Sequence, residues 1–132
     1  MNLVVLVVDD EPDVEALFRQ QFRSEMRAGR FVMDFASSGA QAIERIKEAE
    51  EGSLILLFSD INMPGMTGLE LLPRVKMMMP NLPIIMITAY GDAATLRRAK
   101  EAGADGVYGK PIEFGELKAE IDQRLTARGL RA

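Results

Sequence analysis

Five side chains in this sequence have types and spacing suited to chemistry: Asp9, Asp10, Asp60, Thr88 and Lys110. Each closes or directly follows an apolar run of strand length. Asp9 and Asp10 follow residues 3–8, Asp60 follows 54–59, Thr88 ends 84–88, and Lys110 comes just after 106–108. In an open α/β sheet, ligands bind outside the carboxyl ends of the strands, so these five groups are expected to converge. Three clustered carboxylates repel and raise one another's pKa values unless positive charge sits among them. Lys110 supplies one such charge, and Mg²⁺ suits the rest, since it favours octahedral oxygen coordination with few carboxylates, retained waters and phosphate oxygens. The chain has no histidine and no cysteine. That removes Ser-His-Asp and Cys-His catalysis, imidazole and thiolate ligands, and any phosphohistidine formed within the chain. Phosphate, if used, arrives from outside.

Taken singly, each of these residues has an ordinary explanation. An acidic run at 9–11 suits a helix start, where the dipole favours negative charge. The stretch Asp60-Ile61-Asn62-Met63-Pro64-Gly65 is built of turn residues. Thr88 is a β-branched strand end and Lys110 a solvated lysine. What singles them out is complementary oxygen, hydroxyl and ammonium groups at four ordered strand ends of one domain.

The elements that must position these groups alternate strand-length apolar runs with stretches of helical period, the pattern of βαβ units around a parallel sheet covered on both faces. Five repeats are predicted. The strand at 3–8 leads to a helix opening at Pro12, with Val14, Leu17, Phe18, Phe22 and Met26 on an inward stripe and Gly29 as its stop. The strand at 31–35 leads to Ser38, whose spacing to Gln41 forms a capping box for a helix running to about Glu50. The strand at 54–59 is continuously apolar and suits the centre of the sheet. After the 62–65 turn, a helix presents Leu69, Leu72, Val75 and Met79 and is expected to kink at Pro73, which lacks an amide hydrogen. The strand at 84–88 precedes a helix capped by Asp92, whose core side is only Ala93, Leu96, Ala99 and Ala102; so little apolar area implies loose docking. The strand at 106–108 reaches Lys110 and Pro111, and the last helix turns Phe114, Leu117, Ile121 and Leu125 inward before the chain frays from Ala127. The domain is therefore expected over residues 1–127, with a tail at 128–132.

A length of 132 residues suits one core, and 48% hydrophobic with 27% charged residues argues for a folded domain. The net charge of -4 leaves no basic footprint for nucleic acid. No apolar run approaches the roughly 18 residues of a membrane span. A cytoplasmic location is the expectation. The nine methionines are scattered, most as core gap-fillers.

The segments VVDDEPD, SDINMPGMTGLELL, MITAYGD and GKP resemble the receiver domains of two-component response regulators, and the resemblance covers essentially the whole chain. It implies a single flavodoxin-like (βα)5 domain whose doubly wound parallel sheet has strand order 2-1-3-4-5. It implies that Asp60 is the phosphoacceptor, a carboxylate nucleophile that forms an acyl phosphate. Asp10 and Asp60 match the direct Mg²⁺ ligands, Asp9 the acidic partner that reaches the metal through water, and Asn62 the position whose backbone carbonyl completes the site. Thr88 and Lys110 match the phosphoryl binders, and the bond before Pro111 matches one that is typically cis. The implied donor is a histidine kinase or a histidine phosphotransfer protein. The implied receiver of the signal is a protein target or output domain on the face of the fourth helix, fifth strand and fifth helix, with a phosphorylation-dependent homodimer as a further partner. Such a domain catalyses its own phosphorylation and slow autodephosphorylation without turning over a separate substrate.

One departure concerns the switch. The family's aromatic residue commonly lies three positions before the lysine, where this chain has Val107. Tyr108 follows it, and strand alternation points that side chain to the opposite face. Signalling is therefore expected to run through Thr88, Ala89 and the weakly held fourth helix, with Tyr90 bordering the pocket.

Three other readings compete. A haloacid-dehalogenase-type phosphatase also uses an aspartyl phosphate, but it needs a second acid where this chain has Asn62. A flavodoxin-like cofactor carrier wants amides or positive charge after the first strand, where this chain is acidic. An interaction module that is never phosphorylated would have no need of all five pocket residues.

Overall fold

The computed structural model describes residues 2–89 and 91–129. Its sheet contains β1 (Val4–Val8), β2 (Val32–Ala36), β3 (Leu54–Asp60), β4 (Ile84–Thr88) and β5 (Gly106–Gly109). All pairings are parallel and the order is β2-β1-β3-β4-β5, so the doubly wound architecture and strand order expected above are observed. The helices are α1 (Pro12–Gln21), α2 (Arg23–Arg27), α3 (Gly39–Glu48), α4 (Gly68–Met78), α5 (Ala93–Glu101) and α6 (Phe114–Ala127).

Strand alternation splits the core into two layers. Leu6, Val8, Leu57, Ile84 and Met86 face α3, α4 and α5, where Ala42, Leu71, Leu72, Val75 and Ala99 meet them. Val5, Val7, Ile55, Phe58 and Ile85 face α1 and α6, where Phe18, Phe22, Leu117, Ile121 and Leu125 close the other layer. β3 is buried at every position, as its unbroken apolar run requires.

Several local expectations need correction. The first predicted helix is two, because Phe22 leaves helical geometry at φ -109° and ψ 16°. Its fully buried ring sits among Phe18, Phe31 and Phe114 at centroid distances of 6.0–6.1 Å, and that packing prevails over helix continuation. Leu17 is 40% exposed, because the inward stripe is centred on Phe18 and Phe22, one turn apart. At Ser38 only half of the capping box forms: Ser38 Oγ accepts the Gln41 amide at 3.1 Å, while Gln41 Oε1 turns to the Ser37 amide. Not all differ: α4 spans Gly68–Met78 with Pro73 inside it, and the proline lies on the exposed face, where water can serve the carbonyl that its missing amide leaves free. In α5, Ala93 faces solvent and Ala99 alone is fully buried, so the docking is looser still than expected. Met77 and Met78 point outward from α4. At the end of α6 the chain does not fray at Ala127: the Arg128 guanidinium donates to the carbonyls of Gly52 at 2.6 Å and Leu54 at 2.9 Å.

Candidate functional site

The chain folds so that four strand ends deliver their polar residues to one edge. Beyond Val8, the Asp9 amide still bonds the Ala36 carbonyl at 3.0 Å, so the β1–β2 ladder carries on into the acidic pair. Asp60 is the last residue of β3 and pairs with Ile87 of β4. The next amide, Ile61 N, donates to the Ile87 carbonyl at 3.0 Å. Buried Ile61 and Met63 anchor the following loop and leave Asn62 exposed between them. Thr88, fully buried, ends β4, and its carbonyl accepts the Lys110 amide at 2.9 Å, which ties the threonine and lysine positions together through the backbone. The Lys110-Pro111 peptide is cis.

Asp9, Asp10 and Asp60 each offer a carboxylate oxygen within 4.8 Å of the others. Lys110 Nζ lies 3.5 Å from Asp60 Oδ2 and 3.7 Å from Asp9 Oδ2. Asp60 Oδ1 accepts the Asn62 amide at 3.3 Å, and Asp9 Oδ1 accepts the Glu11 amide at 2.9 Å. Burial pushes the Asp60 carboxyl above its ordinary pKa and the Asp9 charge adds to this, while Lys110 and the Asn62 amide pull it back. Asp9 is likewise raised by burial, against the Glu11 amide and Lys110. Burial alone would lower Lys110, but Asp60, Asp9 and Glu11 outweigh it and hold the ammonium above its usual value. The pocket therefore favours a ligand that adds positive charge among the acids. Its donors are all oxygens, with no imidazole or thiolate, which fits a hard divalent cation. Beside the acids, a cleft of about 300 Å³ is walled on its far side by Ser37, Gln41 and Arg45.

All five residues singled out from the sequence thus meet at one edge, and Asn62 joins them through its backbone. Of the residues assigned to switching, Thr88 is buried at the end of β4 and pairs with Gly109 of β5. Ala89 and Pro111 are exposed, and Tyr90 lies outside the described residues. Val107 packs on the α4–α5 side and Tyr108 on the α1–α6 side, the opposite facing that strand alternation requires. The Tyr108 hydroxyl donates to Glu120 Oε1 of α6 at 2.6 Å.

Four residues near the site escaped sequence reading. Buried Ser59 donates its hydroxyl to the Asp60 carbonyl at 3.0 Å. Thr67 and Glu70 form a reciprocal capping box at the start of α4, signalled by the T-x-x-E spacing. Gly68, between them, lies against the Asp60–Ile61 backbone.

Residues 5–122 match the response regulator receiver domain. Sporulation initiation phosphotransferase F of Bacillus subtilis is 32% identical over 125 residues, covering 95% of each chain. Response regulator protein PilR of Pseudomonas aeruginosa is 33% identical over 131 residues, which is 96% of this chain but only 27% of that protein. The crystal structure of response regulator protein TrrA from Thermotoga maritima, in complex with Mg²⁺-BeF, superposes with a TM-score of 0.77 at 29% identity, covering 93% of this chain and 99% of that one.

Proposed function

The chain belongs to the response regulator receiver domain family, and from that premise we propose that Asp60 is its phosphoacceptor, in a Mg²⁺-dependent transfer from a phosphohistidine. The observation that carries this reading is the placement of Lys110 Nζ 3.5 Å from Asp60 Oδ2, with Asp9 and Asp10 beside them at adjoining strand ends. Asp10, Asp60 and the Asn62 carbonyl would hold Mg²⁺, with Asp9 reaching it through water. When bound, the metal supplies positive charge that offsets the charge on the transferring oxygens.

The chain's own residues do the rest. An Asp60 oxygen forms a bond to phosphorus as the P–N bond to the donor imidazole breaks, and the departing nitrogen takes up a proton from solvent. Lys110 offsets charge on the phosphoryl oxygens, and Thr88 hydrogen-bonds one of them. Placement and charge suffice, because phosphoryl transfer asks little further covalent chemistry of the protein. Attraction between the phosphoryl oxygens and Thr88 then biases the β4–α5 segment, and the thinly buried α5 moves at low cost.

The donor in this reading is a histidine kinase or histidine phosphotransfer protein, and the protein target or output domain binds the α5–β5–α6 face. The domain acts in the cytoplasm, in keeping with there being no helix among the described residues long and apolar enough to cross a membrane. It performs its own phosphorylation and slow dephosphorylation without a separate substrate. Labelling by acetyl phosphate tests the reading: label should appear with Mg²⁺, fall to background with chelator, and be absent from Asp60→Asn. Parent-level label on Asp60→Asn would refute it.

A further inference from the structure

The start of α4 rests on the backbone that carries Asp60. Gly68, the first residue of α4, donates its amide to the Ile61 carbonyl at 2.8 Å. A Cβ placed on Gly68 would fall on the Asp60 carbonyl oxygen, well inside contact distance, and would lie 2.6 Å from the Met86 methyl and 2.8 Å from Ile61 Cα. Two of these obstacles are main-chain atoms, which no rotamer change clears. Gly68 is not among the positive-φ glycines, so what the position requires is room rather than an unusual backbone conformation. By contrast, the three atoms nearest a Cβ on Gly39, the first residue of α3, all belong to the Met66 side chain, Sδ at 2.7 Å, Cβ at 3.0 Å and Cγ at 3.1 Å, and none is a main-chain atom of the Asp60 strand end.

The surroundings leave little slack. The Ser59 hydroxyl also holds the Asp60 carbonyl, Ile61 N is bonded to β4, and the Thr67–Glu70 box fixes the first turn of α4. Leu71, Leu72 and Val75 seat the helix on the sheet. Asp60 is the last residue of β3, so a shift forced at this contact falls on the peptide that carries its carboxylate.

We propose that Gly68 is a positioning residue for phosphoryl acceptance: its lack of a side chain lets α4 seat on the Asp60–Ile61 backbone, and this seat sets where the Asp60 carboxylate stands relative to Lys110, Asp9 and Asp10. The inference rests on the reading of Asp60 as acceptor. A side chain at position 68 displaces the Asp60 peptide, and a displacement of even 1 Å costs a transfer that depends on alignment.

Acetyl phosphate labelling of the full chain in excess Mg²⁺ tests it. Gly68→Ala should keep its circular dichroism spectrum and lose about tenfold or more of the limiting rate at saturating donor. Val75→Ala, which opens a cavity under the same helix, should lower the melting temperature yet label at the parent rate, as should Gly39→Ala. Adding Met86→Ala to Gly68→Ala should not restore the rate, because the main-chain obstacles remain. Parent-rate labelling of Gly68→Ala, or its rescue by Met86→Ala, would overturn the proposal. Should Gly68→Ala not fold, Ser59→Ala loosens the same carbonyl without adding an atom; labelling slowed severalfold at a near-parent melting temperature supports the proposal, and parent-rate labelling overturns it. Asp60→Asn, run alongside, separates the two claims. Label on that variant removes the acceptor reading, whereas its absence together with parent-rate Gly68→Ala removes only the positioning role.

Discussion

Lys110 and Asp60 face each other across the carboxyl edge of the sheet, Nζ to Oδ2 at 3.5 Å, although β4 separates their strands. The ammonium helps to offset the rise that burial imposes on the Asp60 carboxyl. Replacing it in Lys110→Met removes charge compensation from the transferring oxygens, and labelling should fall by about a hundredfold. The three carboxylates stay, so calorimetric Mg²⁺ affinity should not weaken. A variant that loses metal binding and labelling together would show that Lys110 serves the fold of the pocket instead.

Repulsion among Asp9, Asp10 and Asp60, packed within 4.8 Å, should make the metal-free protein less stable than its core allows. Asp10→Asn is expected to raise stability without metal by about 1 kcal/mol and to abolish the stabilisation that Mg²⁺ gives the parent. Thermal melts with Mg²⁺ and with chelator check both effects. Lower metal-free stability in the variant would mean that hydrogen bonding by Asp10 outweighs the repulsion.

The Tyr108–Glu120 bond joins β5 to α6 at 2.6 Å. Hydrogen bonding to Glu120, then burial, pushes the Tyr108 hydroxyl up to about 12 from its ordinary 10.0. The folded protein thus holds this proton more tightly than the unfolded chain does. The resulting stabilisation is complete below pH 10 and is lost as the pH rises from 10 toward 12. Tyr108→Phe should cost about 1 kcal/mol near neutral pH. Urea titrations should show its gap from the parent narrowing as the pH rises from about 10 toward about 12. A gap that stays constant with pH would place the contribution of Tyr108 in its ring packing alone.

Ala99 is the one fully buried residue of α5, and the Asp92 side chain caps that helix through the Thr95 amide at 2.7 Å. Such a helix opens at low cost. Hydrogen exchange should therefore change most at Thr88 and Ala93–Leu96 when Mg²⁺-beryllofluoride is added to the metal-free protein, and Val107→Ala should leave that pattern unchanged. Changes confined to Val107 and Tyr108 would contradict a route through α5.

Strand alternation and apolar runs made the sheet, its five strand ends and the meeting of Asp9, Asp10, Asp60, Thr88 and Lys110 legible in the sequence, because each depends on a period of two or on a run length. Val107 and Tyr108 fall on opposite faces for the same reason. The order of the strands, and the metal role proposed for Asn62, came only with the family resemblance. Features settled by tertiary packing stayed hidden. The break at Phe22 depends on packing against Phe31 in the next strand's approach and Phe114, which is more than ninety residues on, and Arg128 finds carbonyls more than seventy residues away. Gly68 reads as an ordinary helix start until the Asp60 backbone is seen beneath it.

Borohydride reduction of the phosphorylated protein, followed by peptide mass mapping, addresses acceptance at Asp60 most directly, since it converts an aspartyl phosphate to homoserine where it stands. Homoserine should appear at position 60 after treatment with acetyl phosphate and Mg²⁺, with Asp9 and Asp10 unchanged and no conversion when chelator replaces the metal. Homoserine at position 9 or 10, or Mg²⁺-dependent label that leaves Asp60 intact, would contradict it.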